Sequence, residues 1–200
     1  MRGIDGPIFR AYFFYIDFIY GGHNMKNTKT INKSEKTYHD AFYEAFKSIQ
    51  LSGAYTIYYE LNFSKDELKE FNELLRKNND KELQHVIQMK ELESNIHANY
   101  NFDCVSAAAE FPYRAKLKMY GKKIIPKNVA TIVAGTTDAI RFYLILSIYT
   151  LVENYRFDED MVKIFYEKLK EFCKLYADGL QNADVLKYFI QECDLKITED

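Results

Sequence analysis

Apolar residues recur at three- and four-residue spacing along most of this chain, the period of a helix that buries one face. Tyr38, Ala41, Phe42, Ala45, Phe46 and Ile49 form such a stripe behind Ser34, which is placed to cap it. The stripe continues, with a weak point at Ser52-Gly53, through Tyr55, Ile57, Tyr58 and Leu61. Ser64-Lys65-Asp66-Glu67 is a capping box, in which Ser and Glu satisfy each other's backbone N–H groups. It opens a second helix on Leu68, Phe71, Leu74 and Leu75, and Asn78-Asn79-Asp80 is expected to end that helix and cap a third, from Lys81 to about Asn95. Pro112 suits the first turn of a short helix ended by Gly121, although the alternation from Tyr113 to Tyr120 would also fit a strand. Pro126 then opens a long helix reaching Tyr155, Asp158 caps one over Glu159 to Ala177 that Asp178-Gly179 ends, and a last helix runs from Ala183 to Cys193. The prediction is an all-α chain, a helical bundle.

The halves resemble each other. Residue 55 laid on residue 149 brings Tyr55-Thr56 onto Tyr149-Thr150, Phe63 onto Phe157, and the caps Ser64 and Asp158 together. Asp66, Lys69, Phe71, Glu73 and Leu75 then meet Asp160, Lys163, Phe165, Glu167 and Leu169. Average residue frequencies would produce about one or two such identities in a stretch of this length. The expectation is a bundle of two related capped helix hairpins, with units over residues 38–95 and 132–193.

The segment Ala54-Tyr55-Thr56-Ile57-Tyr58-Tyr59-Glu60-Leu61-Asn62-Phe63 and the run from Phe165 through Asp178-Gly179 and Asp184-Val185-Leu186 to Ile197 carry a resemblance. Together they resemble small helical proteins of Firmicutes phages and prophages, in which an aromatic-rich helix ends in a Phe turn before a charged helix. The resemblance spans half the chain. It implies a phage or prophage setting and no particular activity.

Composition narrows the function classes. The chain has 27 Lys and Arg against 29 Asp and Glu, so no global field recruits nucleic acid or an acidic membrane. The apolar run from Phe142 to Val152 is too short to span a bilayer and sits beside Asp138 and Arg141, which makes it a core helix. Cys104, Cys173 and Cys193 are odd in number and lack metal or redox spacing, so buried reduced thiols in a cytoplasmic protein are expected.

The first residues read differently. Ile8 to Tyr20 is densely apolar but interrupted by Arg10 and Asp17, and no small-residue cleavage site follows. Gly21-Gly22-His23-Asn24-Met25 can be encoded as a ribosome-binding sequence placed shortly before an ATG. The expectation is that residues 1–24 are a leader or a flexible extension and that residues 25–200 form a single helical domain.

Motifs for chemistry are sparse. His39-Asp40 matches the two-residue core of metal-dependent phosphohydrolases, which also need an upstream His, here His23, and a later Asp, here Asp138. His85 and His97 have no ligand-type neighbours at helical spacing, and no glycine pattern forms a phosphate loop or a nucleophile elbow. No cofactor or metal is indicated, and Glu67, Glu70 and Glu73 read as a solvated helix face.

Two anomalies remain. Between Phe111 and Thr137 six basic residues, Arg114, Lys116, Lys118, Lys122, Lys123 and Lys127, occur without an acid, interleaved with Tyr113 and Tyr120. Arg114, Lys116, Lys118, Tyr120, Lys122, Lys123 and Lys127 are therefore the candidate binding residues, able to meet an acidic protein groove or to track a phosphate backbone. The chain also has 17 Tyr and 15 Phe with no Trp, and tyrosine is over-used at interfaces. Codon bias of an AT-rich genome accounts for much of that excess. The reading is a non-enzymatic accessory protein of a phage or mobile element that binds a host or viral macromolecule, and inhibition of a host complex is one version. A protein partner is favoured, a nucleic-acid-binding module using residues 114–127 is the alternative, and a homodimer remains open.

Overall fold

The computed structural model describes residues 33–83, 88–179 and 183–193. The expected leader, His23 and His85 lie outside the described residues, as does the junction after the second helix. The described residues form helices α1 (Lys33–Tyr59), α2 (Lys65–Leu83), α3 (Met89–Tyr100), α4 (Cys104–Glu110), α5 (Tyr113–Met119), α6 (Val129–Tyr155), α7 (Glu159–Ala177) and α8 (Ala183–Glu192), with a 3-10 turn at Pro126–Asn128. No strand occurs among them, so the fold is all-α, and the segment from Tyr113 is a helix.

Local chemistry explains most boundaries. The capping box is formed: Ser64 N–H donates to Glu67 Oε2 at 2.8 Å, and Glu67 N–H donates to Ser64 Oγ at 3.3 Å. Asp158 caps α7 by accepting from Met161 N–H at 2.9 Å. The preceding helices end alike: Asn62 and Arg156 both take the left-handed conformation at φ 58°, and Phe63 and Phe157 donate back to the carbonyls of Ile57 and Leu151. That is a Schellman-type stop made without glycine.

Three boundaries differ from expectation. Helix α1 begins at Lys33, which puts Ser34 in its first turn, where its hydroxyl lies 3.4 Å from that of Thr131. It also runs unbroken through Ser52-Gly53, because Gly53 faces the Tyr143 ring rather than a turn. Asn78-Asn79-Asp80 does not end α2, which reaches Leu83: Asn78 is buried and donates to Thr150 Oγ1 at 3.1 Å, so a tertiary hydrogen bond replaces the local break. Helix α4 had no counterpart in the expected elements. Asp103 starts it by accepting from the N–H groups of Val105 and Ser106.

Helices α1 and α6, each of 27 residues, run parallel at the centre. Partners advance together along both: Tyr38 donates to Asp138, the Phe42 and Phe142 rings lie 5.9 Å apart, and Phe63 meets Phe157 at 6.3 Å beyond their ends. The closest approach is at Gly135, where an added β carbon would lie 2.6 Å from the Tyr38 carbonyl oxygen. Helix α2 packs on α6 and α7 packs on α1, so each hairpin's second helix covers the other hairpin's first. Helix α7 packs chiefly on α1, α5 and α3, while α3, α4 and α5 complete the shell around α6.

The same displacement that carries residue 55 to 149 carries 65 to 159 and 83 to 177, the bounds of α2 to those of α7. It also carries Met89, which starts α3, to Ala183, which starts α8.

Pro126–Tyr155 is long and apolar enough to cross a membrane by length and composition, more than the Phe142–Val152 run alone indicates. Its apolar side chains are spent inside the bundle: Ile140, Tyr143, Leu144, Leu146, Ile148 and Leu151 are all fully buried. Leu146→Ala is therefore expected to cost about 2–5 kcal/mol, measured by denaturant unfolding, because it opens a cavity on the central helix. A mutant that kept its stability but lost a dimer on sizing would show that α6 lines an interface.

Among the described residues the core contains an uncompensated hydroxyl. Tyr143 is fully buried and its hydroxyl has no hydrogen-bond partner among the described residues, while its oxygen lies 1.9 Å from where a β carbon on Gly53 would sit. Tyr143→Phe removes the orphaned hydroxyl and keeps the ring. It is expected to stabilise the fold by up to about 1–3 kcal/mol. An unchanged or lower midpoint would show that the hydroxyl is satisfied in solution.

Candidate interaction surface

The basic segment folds into α5 and the loop that follows, where one of its cations is buried and three more, though exposed, meet acids or carbonyls of neighbouring elements. Lys116 is 5% exposed, and its ammonium donates to the Ala109 carbonyl in the last turn of α4 at 2.9 Å. Lys118 donates to the Tyr176 carbonyl in the last turn of α7 and sits 4.2 Å above the Tyr176 ring. Two lysines of one short helix thus cap two helix C-termini, where free carbonyls and the negative dipole end favour a cation. Arg114 reaches Asp178, just beyond α7, at 3.9 Å.

The loop behaves similarly. Tyr120 is buried against Ala41 and Ile132, and Ile124 packs on the same cluster. Lys122 lies 3.0 Å from Glu44 and 3.9 Å from Asp40 on α1. Partial burial works against its charge, but Glu44 and Asp40 outweigh this and raise its pKa. Lys123 and Lys127 are exposed, with no ion-pair partner among the described residues. Of the seven candidate residues, then, Lys116 and Tyr120 are buried, Arg114, Lys118 and Lys122 bind neighbouring helices, and Lys123 and Lys127 are open to a ligand.

Among the described residues the phosphohydrolase motif does not assemble. Asp40 faces Lys122, Asp138 accepts from Tyr38, and His97 is exposed on α3. Among the described residues no three His, Cys, Asp or Glu side chains form a metal-binding group.

A surface that sequence reading did not locate lies where α1 ends and α8 packs on it. The inner face of α8 buries Leu186, Phe189 and Cys193. Its outer face exposes Val185 and Tyr188, the latter 65% exposed, beside Tyr59 at 39%. The Tyr58 and Tyr59 rings are 4.8 Å apart, and both hydroxyls donate to Glu192, at 3.2 Å and 2.5 Å. These hydrogen bonds hold the Glu192 carboxyl below its usual range and, together with burial, push the Tyr59 hydroxyl up. Behind them Tyr55 stacks on Phe172 at 4.4 Å, and Phe172 on Tyr176, so aromatic rings run from α8 to the C-terminus of α7.

The equivalent positions on α3 and α6 provide a comparison. Under the displacement that maps α2 onto α7, Tyr59, Val185, Tyr188 and Glu192 correspond to Glu153, Glu91, Ser94 and Ala98. All four of those are exposed and none is aromatic or a large apolar residue. The excess of 17 tyrosines was the available signal, and this residue-by-residue contrast is what places it. No family model, no curated protein and no solved structure matches this chain.

The buried stem of Lys116 supports a pH prediction. Desolvation lowers its pKa, so between that lowered value and about 10.4, the unfolded value, the unfolded chain binds more protons and stability rises with pH. Tyr155 and Tyr166, pushed up to about 12 chiefly by burial, act oppositely: their contribution is complete below about pH 10 and is lost above it. Lys116→Met is expected to remove the first effect alone. Its stability relative to the parent should therefore be most favourable near pH 7 and decline toward pH 10 in urea unfolding, and a difference independent of pH would show that Lys116 titrates normally.

Proposed function

We propose that this chain is a non-enzymatic accessory protein of a phage or mobile element that binds a protein of the host or virus. Blocking a host complex is the form of action that best suits such a protein. The observation that carries the reading is the exposed set Tyr59, Val185 and Tyr188 around Glu192, facing outward where the equivalent positions on α3 and α6 are polar or small. Exposed tyrosines with rings already fixed by packing and hydrogen bonds contribute contact area at low entropic cost, which is why they dominate protein-recognition surfaces. The cytoplasm is the setting that suits three buried free thiols. The two halves are read as copies of one helical unit, and the aromatic face lies where α8 of the second meets α1 of the first.

Nucleic-acid binding is the weaker reading, because it is left with Lys123 and Lys127 as its unengaged cations. The test compares the parent, a Tyr59→Ser/Tyr188→Ser variant and a Lys123→Ala/Lys127→Ala variant as bait in a phage-bearing host lysate. The expected result is one protein enriched by the parent and the lysine variant and lost with the tyrosine variant. A salt-dependent gel shift with DNA or RNA, removed by the lysine variant and kept by the tyrosine variant, would overturn the reading.

A further inference from the structure

Glu192 differs from two partly buried carboxylates of the surface and resembles a third. Glu93 holds the Arg141 guanidinium through both oxygens and Glu44 lies 3.0 Å from Lys122, whereas Asp138 accepts from the Tyr38 hydroxyl. Glu192 accepts from two tyrosine hydroxyls, and Lys65 acts on it from beyond ion-pair distance, so no cation occupies its free lone pairs among the described residues. An ionised carboxylate offers about four lone-pair sites, so two remain for an incoming donor. Hydroxyl donors orient this carboxylate without neutralising it, which leaves one negative charge held at the centre of a tyrosine cluster.

The surroundings say which cation fits. An ammonium is compact and strongly hydrated, whereas a guanidinium is planar, weakly hydrated, stacks on aromatic rings and pairs with a carboxylate through two N–H groups. Tyr188 stands one turn before Glu192 on α8, and Tyr59 reaches the same carboxylate with its hydroxyl; both tyrosines are exposed. The extent of the surface speaks against a second copy of the chain: three exposed large side chains are far fewer than the about 20–30 residues per side of a stable interface. A single anchoring side chain on a partner segment matches that extent.

We infer that this face recognises an arginine of the partner protein, the guanidinium pairing with Glu192 and stacking on Tyr188 or Tyr59. The inference rests on the protein-binding reading above and specifies its chemistry.

The test titrates the full chain with the peptide amide Gly-Arg-Gly and separately with Gly-Lys-Gly, followed by amide NMR shifts. The expected result is saturable shifts confined to α8 and the last turns of α1, with the arginine peptide binding several-fold tighter than the lysine peptide. Glu192→Gln, which keeps an acceptor for both tyrosines, should abolish the preference, and Tyr188→Ser should weaken binding. Glu91→Gln, at the equivalent position of Val185, should change nothing. Equal shifts with both peptides, shifts unaltered in Glu192→Gln, or no saturation at tens of millimolar would overturn the inference. So would a dimer in sedimentation that Tyr188→Ser dissolves, since a second copy would then cover the face. If the lysate partner is still captured by Glu192→Gln but lost with Tyr59→Ser/Tyr188→Ser, the arginine inference fails while the binding function stands.

Discussion

A helix that is apolar around its whole circumference has to be covered on every side, and α6 places that demand on the rest of the chain. Its nearest cover is α1, and Gly135 lets the two backbones approach until a β carbon would meet the Tyr38 carbonyl at 2.6 Å. The two run parallel, so the chain leaving α1 has to travel back along the bundle before α6 can begin. Helices α2 to α5 make that return. They also supply the remaining cover, with α2, α3, α4 and α5 all packing on α6. The middle of the chain is thus a connection and a coat at once, and the hairpins interlock because each second helix lies across the opposite first helix.

The same geometry explains the charge run. Helix α5 lies where α4 and α7 end, and each of those ends presents carbonyls with no partner inside its own helix. Lys116 and Lys118, two residues apart, each reach one of them. Lys122 then ties the loop to Glu44 on α1. A run of cations without acids in sequence finds its acids and its dipoles in space, and only the two lysines at the loop's outer positions escape this use. Charge density along the chain was a poor guide to charge density on the surface.

What was legible in the sequence was local. Ser64 with Glu67, and Asp158 before α7, satisfy backbone groups within three residues of themselves, so their positions could be read without knowing the fold. The amphipathic stripes gave the helices on the same terms. What escaped depended on distant partners: Asn78 ends a helix by propensity, but here Thr150 accepts its amide proton and the helix continues. Lys116 reads as surface until Ala109 is found above it. The tyrosine face was legible only as an excess in composition, because its members come from α1 and α8, more than a hundred residues apart.

The two turns at Asn62-Phe63-Ser64 and Arg156-Phe157-Asp158 show which features the fold holds fixed. Their backbones match at φ 58° although an asparagine stands in one and an arginine in the other, and their phenylalanines meet. Where packing or a cap constrains a position, both halves meet the same requirement. Where solvent removes that constraint, they part: Glu91, Ser94 and Glu153 on the face of α3 and α6 stand against Val185, Tyr188 and Tyr59 on the face of α8 and α1. Folding alone needs nothing beyond the polar set, since those positions contribute no core, and an exposed apolar cluster is a liability for solubility. The aromatic set needs a reason beyond folding, and the proposed contact with a partner protein supplies one, with Glu192, oriented by two hydroxyls, as its charge.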